Sequence, residues 1–311
     1  MADVTDAAFR RVIAKYSKVA GGTPFVFWTE FVSADGLALA PEEGRRKLLA
    51  DLAYSAVEHP IVAQFFSSRP EHMEKAAALA RELGFDGVDI NMGCPDKSIE
   101  KQGAGAAHIK DPARAQEVIK AAQRGAEHLP VSVKTRLGYN KDELEVWLPK
   151  LLEANPRAIT IHARTRKEMS LVPARWDRVK RAVEIRNEMK SNTLILGNGD
   201  LKDVQDALEK VSTSGADGVM LGRAIFGNPW LFAPSRPPLA ERLQVMVEHT
   251  ELYEKLLSHK SFAIMKKHYK AYVHGFSGAA ELRAELMNAE NAAEIKTIVD
   301  NWIHQHSEVV E

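Results

Sequence analysis

The sequence predicts an α/β protein: a (β/α)8 TIM barrel whose first strand is missing from the chain, followed by a C-terminal all-α helical domain. Three observations predict this fold class. Short, almost continuous apolar runs recur up to about residue 221, as in parallel strands covered on both faces. Amphipathic stretches of helical length separate these runs, which indicates repeated βα units. Beyond residue 237 only helical patterns follow, and 311 residues suffice for a barrel and a smaller domain.

Seven apolar runs are predicted as strands. They cover residues 24–28, 61–66, 87–91, 131–135, 158–162, 193–197 and 218–221. A closed barrel of this class needs eight strands, so we expect the first strand to precede Met1. The chain itself opens as a loop that leads into a helix capped near Thr5 or Asp6.

Amphipathic stretches predict the helices. Between the strands they cover residues 71–83, 113–127, 141–152 and 203–211, with Pro112 and Asp203 as helix-start residues. The proline-rich segment 234–238 reads as a linker. Helices are then predicted at 239–257, 262–274, 279–287 and 292–302. We therefore predict a barrel domain at 1–236 and a helical domain at 237–311.

Composition limits the function classes. The chain has 42 basic and 42 acidic residues, so it lacks the basic excess that favours nucleic-acid binding. Its single cysteine excludes an intramolecular disulfide and fits a reducing compartment. No apolar run has the length of a signal core or a membrane span. We expect a soluble, cytoplasmic monomer without a membrane partner or a metal site.

Polar residues follow nearly every predicted strand. Barrels of this class place their chemistry at the carboxyl ends of the strands, and polar groups around an apolar barrel need partners. These residues are therefore expected to form one site. They are Glu30, Gln64, Asn91, Cys94, Lys134, Arg136, His162, Arg164, Arg166, Asn198, Gly222 and Arg223.

Cys94, the only cysteine, lies just beyond the strand at 87–91, which Pro95 ends because proline has no N–H for the ladder. A lone thiol at a strand end is a candidate for chemistry. The alternative is that Cys94 is a small buried apolar residue, as free cysteines often are.

Two glycine-bearing turns suit a phosphate group. Residues 197–200 follow one late strand and Gly222-Arg223 the next, where barrel phosphate sites occur. Ordinary turn chemistry is the alternative for each turn alone. Lys134 and Gln64 are expected deeper in the barrel, at the polar edge of a flat aromatic ring system. The alternative for Lys134 is a lysine buried against a carboxylate.

These segments together resemble the tRNA-dihydrouridine synthases, which are FMN-dependent barrels that reduce a uridine in tRNA. The Asn-x-Gly-Cys-Pro block at 91–95 and the His-x-Arg-Thr-Arg block at 162–166 are specific in combination. Further matches run in family order over nearly the whole chain. They lie at 1–6, 9–10, 64–65, 103–106, 134–139, 197–200, 218–223 and 266–269.

The resemblance implies a role for each matching position. Cys94 corresponds to the general acid, and the segment 237–311 to a tRNA-recognition domain. FMN contacts are implied for Met1, Ala2, Gln64, Lys134, His162, Asn198, Gly199, Asp200, Gly222 and Arg223. Substrate contacts are expected at Asn91, Lys97, Arg136, Arg164, Arg166, Lys266 and Lys267.

The activity that the resemblance implies is reduction of the C5–C6 double bond of a tRNA uridine. Flavin N5 delivers a hydride to C6, and Cys94 delivers a proton to C5. NADPH is the implied source of the hydride, as a transient reductant, since the chain has no Gly-x-Gly-x-x-Gly dinucleotide fold. The alternatives are a flavin oxidoreductase for a small pyrimidine and a catalytically weak tRNA-binding homologue.

The chain departs from the family pattern after Arg166. The family usually has glutamine, tyrosine and glycine where this chain has Glu168, Ser170 and Val172. The helical tail is also not basic, with 8 lysines and arginines against 11 acidic residues from residue 238 onward. Basic residues gather instead near the strand end at 162, and RNA phosphate contacts are expected there. A solvated surface charge is the alternative for each of them singly.

Overall fold

The structure is a computed structural model. The structure describes residues 3–18, 22, 24–306 and 308. Two predicted cofactor contacts, Met1 and Ala2, lie outside the described residues.

Strands and helices alternate through the first three quarters of the chain. The strands are β1 Phe27–Ser33, β2 Ile61–Phe66, β3 Gly87–Asn91, β4 Val131–Arg136, β5 Ala158–His162, β6 Leu194–Asn198 and β7 Gly218–Met220. The helices up to β7 are α1 Ala7–Ser17, α2 Ala34–Leu39, α3 Glu42–Asp51, α4 Pro70–Glu82, α5 Lys97–Glu100, α6 Pro112–Ala126, α7 Leu144–Glu153, α8 Trp176–Glu188 and α9 Val204–Ser214. Helices α10 Leu239–Leu256, α11 Lys266–Tyr272, α12 Ala279–Leu286 and α13 Ala292–Gln305 follow.

The seven strands form one sheet in sequential order, β1 to β7. The register shows that each pair from β2 to β7 is parallel. This is the strand–helix alternation predicted for the barrel, and a helical region follows it, so the predicted fold class is confirmed.

Six of the predicted strands agree with the structure to within one residue at each end. The first is displaced: the apolar run 24–28 predicted it, whereas β1 is Phe27–Ser33. The central residue of β1 is Glu30, a buried carboxylate that apolarity alone does not assign to a strand. Its charge is compensated, because it accepts hydrogen bonds from the Val4 N–H at 3.0 Å and from Lys260 Nζ at 2.7 Å.

Both predicted helix starts are confirmed. Pro112 is the first residue of α6, where its missing N–H costs nothing. The Asp203 side chain accepts from the Asp206 N–H at 2.8 Å and caps α9. The first helix is capped by Asp6, which accepts from the Phe9 N–H at 3.0 Å. Helices α2, α3, α5 and α8 lie outside the stretches that we predicted to be helical.

The chain divides into two compact units. One comprises Met1–Glu30, Ala53–His59 and Ala224–Glu311, and the other comprises Phe31–Leu52 and Pro60–Arg223. The division describes packing and not autonomous folding, so the domain boundary at 236/237 stays a prediction.

The first unit is mainly helical. Helix α1 packs on α10, and α10 packs on α13. The core of this unit contains Leu243, Met246, Leu282, Ile295 and Val299, whose side chains are fully or almost fully buried. The apolar faces predicted for the tail helices thus cover one another.

The second unit carries the sheet from β2 to β7. Many apolar residues of its strands are inaccessible to solvent, for example Phe65, Ile90, Val133 and Ile161. Strands buried on both faces read as continuous apolar runs, which explains why they were predicted so closely. No helix in the described part of the chain combines the length and apolarity required to cross a bilayer.

Candidate active site

The carboxyl ends of β3 to β6 carry predicted site residues next to one another. The register pairs Asn91 with Lys134, Arg136 with His162, and His162 with Asn198. Neighbouring strands lie about 4.8 Å apart, and residues two apart on a strand share a face. The five residues therefore form a continuous row on one face of the sheet, at the edge where α/β barrels bind ligands.

Cys94 lies in the loop after β3, and its backbone is held from both sides. Its N–H donates to Asn91 Oδ1 at 2.9 Å, and its carbonyl accepts from the Ala106 N–H at 2.9 Å. Gly105, with φ +60°, permits this approach, because a Cβ there would lie 2.8 Å from the Cys94 carbonyl oxygen. The Cys94 side chain is half-buried and is not in a disulfide.

The surroundings keep the Cys94 thiol protonated. Burial raises the pKa of Cys94 above its ordinary value, and the carboxylates of Asp96 and Glu100 act in the same direction. A hydrogen bond from the Asp96 N–H and the charge of Arg136 act in the opposite direction, but burial has the largest effect on this pKa. A thiol in this state can donate a proton at neutral pH, whereas the thiolate that a nucleophile needs is scarce.

Lys134 presents an ammonium group without a fixed partner. Among the described residues, Nζ of Lys134 has neither a hydrogen-bond nor an ion-pair partner. Burial lowers the pKa of Lys134 to about 7, and the Arg136 charge adds to the effect, whereas Asp89 opposes it. The alternative of a lysine paired with a carboxylate does not hold within the described residues, and the group can contact a ligand.

His162 is neutral in this setting. Burial lowers its pKa to about 2, and the cations of Lys134, Arg136 and Arg164 act in the same direction. Nη1 of Arg164 donates to His162 Nε2 at 3.1 Å. The remaining proton of the imidazole is therefore on Nδ1, which makes His162 a neutral hydrogen-bond donor at that atom.

Arg164, Asp200 and Arg223 form an ion-pair cluster at the ends of β5, β6 and β7. The Arg164 side chain is 2% exposed and donates through Nη2 to Asp200 Oδ2. The second carboxylate oxygen of Asp200 accepts from Arg223 Nη2 at 2.8 Å. The pKa of Asp200 is lowered, mainly by the bond from Arg164. Two guanidinium groups share one carboxylate, which leaves one net positive charge at this corner.

The turn after β6 is as tight as its glycines suggest. Gly199 has φ +127°, and a Cβ there would lie 2.8 Å from Ala174 Cβ. Asn198 Nδ2 donates to the Met220 carbonyl at 2.7 Å, which joins the ends of β6 and β7. Gly222 follows in the loop after β7, which leads directly into the 3-10 turn Arg223–Ile225.

Arg136 and Arg166, both predicted substrate contacts, are held by the protein. Arg136 is buried and donates to the carbonyls of Gly93 at 2.8 Å, Thr165 at 3.0 Å and Met169 at 2.9 Å. Arg166 donates through Nε to Glu100 Oε1 at 2.7 Å. These bonds tie the loop after β5 to the Cys94 loop, so both arginines shape the site.

The basic residues near the end of β5 are mostly paired with carboxylates. Arg175 contacts Glu168 at 2.8 Å, and Arg178 contacts Asp142 at 2.8 Å. Arg181 contacts Glu145, Glu184 and Glu188. This surface therefore presents less unbalanced charge than its sequence suggests, and phosphate contacts there stay a prediction.

The remaining predicted substrate contacts are not brought into the row. Lys97 is exposed on the short helix α5. Lys266 is half-buried and Lys267 exposed at the start of α11, in the other unit. Their roles stay predictions.

Several residues that shape the site were not predicted. Asp89 is fully buried in β3, and Glu100 holds Arg166. The Trp176 indole N–H donates to the Gly199 carbonyl at 3.0 Å. Glu168, a departure from the family pattern, accepts from the Thr165 N–H at 2.6 Å and closes its own loop. In the sequence, a role for Asp89 was indicated only by the presence of a carboxylate within the otherwise apolar run 87–90.

Comparisons with known proteins agree on one family. A sequence model of the family described as dihydrouridine synthase matches residues 1–308. A probable tRNA-dihydrouridine synthase of Staphylococcus aureus is 38% identical over 315 residues, which cover 100% of this chain and 93% of that protein. A probable tRNA-dihydrouridine synthase 2 of Bacillus subtilis is 36% identical over 316 residues, with 100% and 94% covered.

A solved structure, histamine dehydrogenase from Rhizobium sp. 4-9, resembles the fold with a TM-score of 0.53. Its sequence identity is 12%, over 79% of this chain and 46% of that one. At this identity the likeness concerns the fold alone, in agreement with the barrel architecture.

Proposed function

The chain belongs to the dihydrouridine synthase family, and on this premise we propose that it reduces the C5–C6 double bond of a uridine in tRNA, with bound FMN and with NADPH as the reductant. The net reaction adds a hydride to C6 and a proton to C5 and oxidises NADPH to NADP⁺. As an enzyme of tRNA modification it would act in the cytoplasm, as a monomer.

The observation that carries the proposal is the state of Cys94. Its thiol is half-buried and protonated, and its backbone is fixed at the end of β3 by Asn91. Protonation of uracil C5 needs an acid that is positioned and still protonated at neutral pH. In our proposal Cys94 donates that proton and recovers it from solvent after the product leaves.

The row, together with the strand-end residues around it, fits FMN. The partnerless ammonium of Lys134 and the Nδ1–H donor of His162 suit the polar edge of a flat ring, with Gln64 as a further contact. The net positive corner of Arg164, Asp200 and Arg223 suits the phosphate, beside the turns at Asn198, Gly199 and Gly222. When bound, FMN supplies the hydride.

An anaerobic reoxidation experiment tests this function. The protein-bound flavin is reduced, unmodified tRNA is added, and the flavin absorbance is followed over time. We expect reoxidation by tRNA and not by free uridine, with the same tRNA already carrying dihydrouridine as the control. Reoxidation by a free pyrimidine alone would instead establish a small-molecule oxidoreductase, and tRNA binding without reoxidation a non-catalytic homologue.

We expect Lys134→Met to weaken FMN binding. Hydrogen bonds to charged groups contribute about 1.5–3 kcal/mol, so the dissociation constant should rise about 10- to 100-fold. Because the pKa of Lys134 is about 7, wild-type affinity should fall as pH rises from 7 to 9, whereas the variant should show no such fall. Fluorescence titration of the apoprotein with FMN measures both effects.

The matched control is Lys120→Met, which removes an exposed lysine of α6. It should leave FMN affinity and its pH dependence unchanged. An unchanged affinity in Lys134→Met would remove Lys134 from the flavin site.

A further inference from the structure

A chain of side-chain hydrogen bonds links a buried carboxylate to the Cys94 loop. Gln64 Nε2 donates to Asp89 Oδ2 at 2.7 Å, and Asn91 Nδ2 donates to Gln64 Oε1 at 3.2 Å. Asn91 Oδ1 accepts from the N–H groups of Cys94 at 2.9 Å and Gly93 at 3.1 Å. We call Asp89, Gln64 and Asn91 the amide chain.

The register explains why these side chains meet. Gln64 of β2 lies opposite Asp89 of β3, and Asp89 lies opposite Ser132 of β4. Asn91 is two residues after Asp89 and shares its face of the sheet. Ser132 Oγ donates to Asp89 Oδ1 at 2.5 Å, so the carboxylate is anchored from the side away from Gln64.

The carboxylate determines which way both amides point. An ionised carboxylate only accepts hydrogen bonds, whereas an amide has one accepting and one donating end. Asp89 therefore turns the NH₂ of Gln64 toward itself and leaves Oε1 for Asn91. Asn91 must then turn its own NH₂ to Gln64, which leaves Oδ1 for the Cys94 N–H. Reversing any amide would oppose like groups in a buried region, at a cost of about 1–3 kcal/mol for each unsatisfied group.

We infer that Asp89 is a positioning residue for Cys94, which acts through the amide chain to hold the backbone of the thiol in place. Asp89 is 0% exposed, and its side chain accepts hydrogen bonds from Gln64 and Ser132. The inference rests on the proposed function for its catalytic consequence. The geometric part concerns this chain alone and is testable without tRNA.

The test exploits the polarity of the amide chain. In Asn91→Asp, carboxylates at positions 89 and 91 would both face Gln64, whose amide has only one donating end. In the double variant Asp89→Asn/Asn91→Asp the chain runs in reverse. The new amide at position 89 would donate to Gln64, and Gln64 would donate to the new carboxylate at position 91. The other oxygen of that carboxylate would still accept from the Cys94 N–H. The double variant thus moves the carboxylate by two positions and keeps the same total charge.

We expect Asn91→Asp to lower single-turnover uridine reduction, measured from pre-reduced flavin, about 100-fold, the scale of a 1 Å misplacement. In the double variant the rate of uridine reduction should recover to within about fivefold of the wild-type rate. Asn301→Asp on the exposed face of α13 controls for the added charge and should match wild type.

Alkylation of Cys94 provides a second readout, and it is unambiguous because the chain has one cysteine. The plateau rate above the thiol pKa should rise several-fold in Asn91→Asp as the loop loosens, and it should return to the wild-type value in the double variant. If the double variant stays as impaired as Asn91→Asp in both readouts, the inference is overturned. If wild type itself fails to reduce tRNA while alkylation follows the expected pattern, only the proposed function fails.

Discussion

Replacing Cys94 with alanine should lower the rate of uridine reduction by about 10²- to 10⁴-fold, the range for a positioned general acid. The thiol is held by the Asn91 side chain and is kept protonated by burial. Alanine preserves the backbone bonds of the loop and removes only the proton donor. Reduction of the flavin by NADPH should be unaffected, since it requires no proton from Cys94. Rapid mixing of pre-reduced enzyme with tRNA measures the first rate, and anaerobic mixing with NADPH the second.

Cys94→Ser separates acidity from packing. A serine hydroxyl has nearly the size of the thiol but is a far weaker acid, so its rate should lie near that of Cys94→Ala. The wild-type rate should hold through neutral pH and fall as pH rises through the raised thiol pKa. This fall should vanish in both variants. Uridine turnover in Cys94→Ala equal to that of wild type would show that another group protonates C5.

The buried sheet could be predicted from the sequence because its signal is local. Runs such as 87–91 and 158–162 are mostly apolar, and the structure places strands at those residues. The prediction of the first strand was displaced because the strand contains Glu30, whose charge is compensated by Lys260, 230 residues away along the chain. A run of apolar residues cannot reveal such a partner, since the pairing exists only in the folded chain.

Some residues of the candidate site could likewise be predicted from the sequence, and others could not. Residues at strand ends, such as Asn91, Lys134 and His162, could be predicted because parallel strands end at a common edge. The partners that orient them could not, since their contacts join different strands and loops. Asp89 and Glu100 belong to this second group: each is a carboxylate whose hydrogen-bond partners are distant in the sequence.

The ion pairs also change how the charged residues on this surface are interpreted. Arg178 and Arg181 read as a basic surface in the sequence, yet both guanidinium groups contact Glu145. Exposed pairs of this kind contribute about 0–1 kcal/mol each, so they affect the local potential more than stability. Lys97, Lys266 and Lys267, which have no carboxylate partner among the described residues, are therefore better candidates for phosphate contacts than these arginines.

Asp200→Ala should destabilise the protein by about 2–4 kcal/mol, about 1 kcal/mol below the range for breaking a fully buried ion pair. Arg164 is 2% exposed and would lose its carboxylate, although Asp200 itself is 37% exposed and solvent screens part of the effect. The Ala174 N–H, which donates to Asp200 Oδ2 at 2.8 Å, would lose its acceptor as well. Urea denaturation measures the loss. Hydrogen exchange of the segment 163–176 reports whether it is local to this corner.

Asp200→Asn is the matched variant, because asparagine tolerates the φ of +55° and keeps an accepting oxygen while removing the charge. We expect Asp200→Asn to cause about half the destabilisation of Asp200→Ala. The control Asp300→Ala, at an exposed position of α13, should destabilise the protein by less than about 0.5 kcal/mol. The pKa of Asp200 is lowered in the fold, so its contribution should be complete above the unfolded pKa of about 3.9. As pH falls through the lowered pKa, wild type and Asp200→Asn should converge in stability. A difference that persists at pH 2 would mean that the carboxylate stabilises this corner by packing and not by its charge on Arg164.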